Sequence, residues 1–291
     1  MPGLSLLAAL ALSAAPPPAA GEVPETKARA PIIVTPPPTP SERRKELRDF
    51  TRQIIRPPRM HQPVAKFAFP VCPEVRGLAP EDAAAIAERI RENARMLGVG
   101  ASSDPACVPT IRVGFMAPQA GPPESWLADG SAQLAHLASH QRARVLAETG
   151  PVRAWNRVVV RDYFGQPLVV GEMTQFEPIS HHDPLVTTEI TGAAVLIARA
   201  SAEGFTLAQL ADYITVRALL GTGAPQADSA VPARTILTLF TDADPPAGLT
   251  DFDRALVAEL YNASRNPSAR RVYNDIARAA QQAEKQDETA R

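Results

Sequence analysis

Apolar residues recur at two spacings along this chain, and the spacing assigns most of its length. Leu47, Phe50 and Ile54 fall on one helical face, behind a capping box at Thr39, Pro40, Ser41 and Glu42 with proline at the first helical position. Pro80 opens a second helix whose stripe is Ala83, Ile86, Ile90, Ala94 and Leu97; Glu81 and Asp82 sit in its first turn, where the helix dipole favours negative charge, and Gly98 closes it. A third helix is predicted from about Ser131 to Ala147. Leu207, Leu210, Ala211, Ile214 and Ala218 form the stripe of a fourth, from Thr206 to Leu220, capped by Thr206 with Gln209 and stopped by Gly221. Asp212, Tyr213 and Arg217 then fall on its polar side, read as a solvated face, with a partner-binding face as the alternative. Leu256, Val257, Leu260 and Tyr261 make a fifth helix from Thr250 to Tyr261, and Val272, Ile276, Ala279 and Ala283 a last one after Asn266 and Pro267.

Strand spacing appears between these helices. Lys66 to Val71 is a brief apolar run, and Ile111, Val113 and Phe115 alternate as in a half-buried strand. Val152 to Tyr163 and Pro167 to Val170, hinged by Gly165, predict a hairpin; Glu189 to Ala200 predicts a further strand rich in β-branched and small residues. Thr235 to Phe240 is a short apolar run after a loose Gly, Ala and Pro loop. The pattern therefore predicts an α+β fold: a mixed sheet of four to five strands packed with helices, and a helical C-terminal layer.

The ends of the chain change the domain plan. Leu4 to Ala15 is an apolar run followed by prolines and small residues through Gly21, which matches a secretory signal over 1–20 and is shorter than the roughly 20 apolar residues a membrane span needs. Ten of the 30 prolines fall in the first 40 residues, so 21–40 reads as an extended linker. Residues 41–65 read as a short helix and Pro-rich connection, 66–285 as a single α+β domain, and 286–291 as a charged, disordered tail. Once the signal is removed no membrane span is expected, and the location is periplasmic or secreted. The two cysteines, Cys72 and Cys107, flank the second helix and predict a disulfide in an oxidising compartment.

A net charge of -1 and a pI near 6.5 argue against nucleic acid, which requires a clustered cationic face. The 26 Arg against 4 Lys fit GC-rich coding more simply than a phosphate site. His136 and His140 stand four apart, the spacing zinc peptidases use on one helix face, but the glutamate that should follow the first histidine is Leu137. His181, His182 and Asp183 form a second cluster between Pro178 and Pro184; joined to His136 and His140 it completes a four-ligand set if helix and loop meet. Asp251 and Asp253 read as first-turn helix charges and Asp242 to Pro246 as turn chemistry. Asn262, Ala263 and Ser264 match a glycosylation sequon by pattern alone. The sequence holds no G-x-S-x-G elbow, no phosphate-binding glycine loop, no H-E-x-x-H and no C-x-x-C. No cofactor is expected.

The order of these elements resembles the plan of zincin-type metallopeptidases, in which the helix after the sheet bears the metal ligands. Gly248, Leu249, Thr250, Asp251, Phe252, Asp253, Arg254, Ala255 and Leu256 through Leu260, Tyr261 and Asn262 resemble the L-T-x-x-D-x-x-L-x-x-L-Y-D segment of bacterial secreted zincin-like proteins, the DUF2927-type domain. The chain from about Val71 to Tyr261 is also similar to exported proteins of sphingomonad-type bacteria. At the ligand helix, however, stand Leu210, Ala211, Asp212, Tyr213, Ile214, Thr215, Val216 and Arg217, with neither His nor Glu. The resemblance implies a fold kept after loss of its metal: a non-catalytic envelope protein binding a peptide or protein along a sheet edge. The alternative is an atypical hydrolase using His136, His140, His181 and His182.

Overall fold

The sheet is organised around β5 (Thr187–Ala198). On one side β4 (Val152–Arg161) pairs with it antiparallel from Val152 and Ile197 to Arg161 and Thr187, with a bulge between Arg157 and Val158. On the other side two strands share its edge, both parallel to it. β1 (Lys66–Phe67) lies beside Glu189 and Ile190, and β3 (Ile111–Met116) beside Ala193 to Ala198. β2 (Pro73–Arg76) pairs parallel with β3 and forms the far edge. The fold is thus α+β with a mostly parallel five-stranded sheet. These statements rest on a computed structural model that describes residues 37–55, 63–104, 106–162, 164–168, 186–225, 231–264 and 267–290.

Parallel pairing needs a crossover, and α2 (Pro80–Met96) supplies it between β2 and β3. After β5 come the short α4 (Arg199–Ala202) and α5 (Leu207–Leu220), which packs against α2 and the sheet. The Thr206 and Gln209 capping box forms, and Gly221, at φ 61°, ends the helix in the left-handed conformation that glycine adopts without strain. α6 (Asp251–Asn262) and α7 (Ala269–Ala290) pair beneath it, and α1 (Pro40–Ile54) lies on α7. Phe50 and Phe252 meet with ring centroids 5.4 Å apart.

Residues from Pro38 onward form one unit with a continuous core. The expected plan set 41–65 apart from the domain and began a loose tail at 286. Instead α1 buries Leu47, Phe50 and Ile54 in the common core, and α7 continues to Ala290. An amphipathic helix of that length is marginal alone, and α7 offers it a partner face. Arg43 seals the join through Glu284 (2.6 Å), and Gln281 donates to the Pro40 carbonyl (2.7 Å).

Other boundaries also move. β1 covers only Lys66–Phe67, because Val71 has already left it to bridge Ala101. The strand expected to 163 stops at Arg161; its hairpin turns at Gly165 (φ 84°), and Leu168 donates to the Val160 carbonyl. Residues 169–170, Pro57 and Pro58 lie outside the described residues. The helix expected from Ser131 shortens to α3 (Ser139–Leu146). Ahead of it, Leu134 bonds Ser131 and Leu137 bonds Leu134 in three-residue turns. These turns press Leu134 and Leu137 into a second, smaller cluster with Leu127, Val145 and Trp155 on the sheet face opposite α5.

Candidate functional site

The predicted polar side of α5 is not solvated. Every residue from Leu210 to Leu220 is buried, Asp212, Tyr213 and Arg217 included. A charge in that position is costly unless it is paired and hydrogen-bonded, and the neighbouring elements supply the partners.

Asp212 accepts from four donors. Arg89 on α2 bonds it in fork geometry, Nε to Oδ1 at 3.0 Å and Nη2 to Oδ2 at 3.3 Å. Asn93, one turn further along α2, donates to Oδ1 at 2.7 Å, and the Leu249 amide to Oδ2 at 3.0 Å. The last bond requires Gly248, because a Cβ there would stand 2.8 Å from Oδ2. Asn93 also donates to the Thr215 hydroxyl at 3.2 Å. One carboxylate thus joins α2, α5 and the loop that enters α6.

Arg217 does the same for the start of β4. Its Nη2 pairs with Glu148, whose other oxygen accepts the Ala154 amide at 3.3 Å. The guanidinium lies 5.7 Å from the Tyr213 ring centre, and Nη1 reaches the Tyr213 hydroxyl at 3.4 Å. Burial pushes the Tyr213 phenol up to about 12. Asn156 on β4 donates to the Ala218 carbonyl at 2.7 Å. Another buried carboxylate, Asp253, accepts the Thr235 hydroxyl, the Ile236 amide (2.8 Å) and the Thr250 amide (2.9 Å). It stands in the first turn of α6, as the sequence predicts, completes a capping box with Thr250, and also clamps the Thr235–Phe240 run, which forms a turn at Ile236–Thr238. Burial raises its pKa against those bonds. Asp251, two residues earlier, is exposed, and Asp244 donates its amide to Asp242 in the turn the sequence predicts.

The histidines take different places. His136 lies in the turns before α3 and His140 inside it, so they do not share a helix face, and the zinc-type spacing loses its structural premise. The His136 ring is partly desolvated against β4; burial lowers its pKa, the Arg157 guanidinium adds to this, and a contact with the Asn156 main chain opposes it. His181, His182 and Asp183 lie outside the described residues. Among the described residues no three His, Cys, Asp or Glu side chains are placed to hold a metal ion. Cys72 and Cys107 form the disulfide, with Cα atoms 6.2 Å apart, and tie the start of β2 to the loop before β3. No helix among the described residues is long and apolar enough to cross a membrane.

Asp212, Tyr213 and Arg217 are thus the residues that sequence reasoning placed on a solvated face. Asn93 carried a signal: it falls three residues after Ile90, on the apolar stripe of α2, where a polar side chain must find a partner. Glu148 carried none, since its partner lies 69 residues away. Chemically the cluster joins elements through paired charges and hydrogen bonds, and among the described residues it leaves the buried Asn93 Oδ1 and Arg217 Nε without a partner. Comparison with protein-family models, curated proteins and solved structures finds no match to the chain.

Proposed function

We propose that this is an envelope domain of the periplasm or cell exterior that acts by binding a peptide or protein, on a zincin-like scaffold whose ligand helix has passed to structural use. The observation that carries the reading is α5. In the position after the sheet where a zincin would present ligands to a metal, Asp212 is closed on Arg89, Asn93 and Leu249, and Arg217 on Glu148 and Tyr213. The disulfide supports the compartment.

The partner surface we assign is the end of the sheet at the disulfide. Phe69 and Val108, on the two loops it joins, are 60% and 79% exposed. Large apolar side chains held outward on a fixed frame are a feature of contact surfaces. The sheet edges suit a peptide less well. β2 is short and begins with Pro73, which has no N–H to donate, and the outer edge of β4 already engages Glu148 at Ala154 and Leu168 at Val160.

Two measurements on untagged protein from an oxidising compartment test this reading. A photo-crosslinking residue at position 69 or 108 should capture a discrete partner in cells, whereas one at Arg91 on α2 should not; equal capture from all three positions contradicts the surface. Elemental analysis should find no stoichiometric transition metal. Zinc or iron near one per chain, lost in His136→Ala with His140→Ala, supports the hydrolase reading instead.

A further inference from the structure

We infer that residues 122–147 form a lid that detaches as a unit from the outer face of the sheet while the rest of the domain stays folded. The inference stands apart from the binding role proposed above.

The segment packs through its own small cluster. Leu127, Leu134, Leu137 and Val145 close on Trp155 of β4, with Ala194 and Leu196 of β5 alongside, and this cluster is separate from the main core. Opening costs roughly in proportion to the apolar area it exposes, so a five-residue cluster lifts far more cheaply than the main core unfolds. Internally the lid is well tied. Arg142 bonds Asp129 at 2.8 Å and the Leu137 carbonyl at 2.7 Å, and Gln141 closes the first turn of α3 by accepting the Ala138 amide at 3.0 Å. Such bonds let it move as one piece.

Outward polar ties among the described residues run to β4. Glu124 pairs with the buried Arg153 at 3.0 Å, but Glu124 is itself largely exposed, and His136 touches the Asn156 main chain. The segment is bounded by a glycine at one end and an anchor at the other. Gly121 precedes Pro122 at φ 79°, and at the far end Glu148, held to the fixed domain by Arg217 and Ala154, marks where the movable segment stops. Opening bares a strip of sheet formed by Trp155 and, across the strand pair, Ala194 and Leu196.

Native-state hydrogen exchange on the full chain, in low urea and resolved by segment, tests the lid. The Leu137, Arg142 and Ala147 amides should exchange through an opening with a smaller urea dependence than that of α5 and β5 amides. Leu134→Ala removes a side chain that belongs only to this cluster. It should raise lid exchange at least about tenfold and leave α5 exchange unchanged. Glu124→Gln, a milder change, should move lid exchange in the same direction. The two tryptophans, Trp126 and Trp155, both lie at this contact, so acrylamide quenching should rise in parallel. Lid amides that share the opening energy and urea slope of α5 and β5, in wild type and variants alike, overturn the inference.

Discussion

Asp212 and Arg217 show what side-chain identity leaves open. The sequence displays an acid, a phenol and a base on one side of an otherwise apolar helix, and periodicity reads that side as wet. Their partners lie on α2, before β4 and before α6, separated by long stretches of chain that periodicity does not connect. Arg217→Met leaves Glu148 facing an apolar site, and denaturation should show a loss of about 3–5 kcal/mol; adding Glu148→Leu should recover much of it. Gly248→Ala should cost about 1–3 kcal/mol, because the new methyl group meets Asp212. Asp253 gives a pH signature. Its folded pKa lies above the ordinary 3.8, so the native state holds the proton more tightly than the unfolded chain. Its contribution is greatest below about 3.8 and is lost as pH rises through the raised folded value. Compared with Asp253→Asn, wild-type stability should therefore fall with rising pH across that window, as measured by urea titrations at a series of pH values; the opposite slope contradicts the assignment.

At the level of elements, local chemistry was most readable where it was self-contained. The capping boxes at Thr39 and Thr206, and the glycines after α2 and α5, mark helix ends through bonds within a few residues, and all stand where the sequence put them. α3 was overextended because Leu134 and Leu137, at a spacing of three, fit helical and three-residue turns alike. What separates the two is the sheet face they pack on, which lies outside the segment. Strand length and helix docking likewise depend on distant partners: β1 keeps only Lys66–Phe67 of its apolar run, and α1, whose cap and apolar face stand as read, docks on α7. The disulfide was legible from an even pair of cysteines on either side of one predicted helix. Closing a separation of 35 residues should contribute about 3 to 4 kcal/mol in the chain-entropy account. Cys72→Ser with Cys107→Ser should lower the urea midpoint accordingly, and wild type with reductant should match it; an unchanged midpoint contradicts that role.

Across the whole molecule, α5 is the axis on which the layers meet. Asp212 joins it to α2 and the entry to α6, Arg217 to the start of β4, and the Leu219 carbonyl to Tyr261, whose hydroxyl in turn accepts the Phe67 amide of β1. Charges committed to such joints keep the helical layers and the sheet in one register, while the lid cluster lies outside them. The most direct measurement is equilibrium urea unfolding of the full chain with Asp212→Ala. A polar side turned inward predicts a loss of about 3–5 kcal/mol, with the transition otherwise cooperative. A change within about 0.5 kcal/mol, as expected of an exposed helix face, contradicts the account.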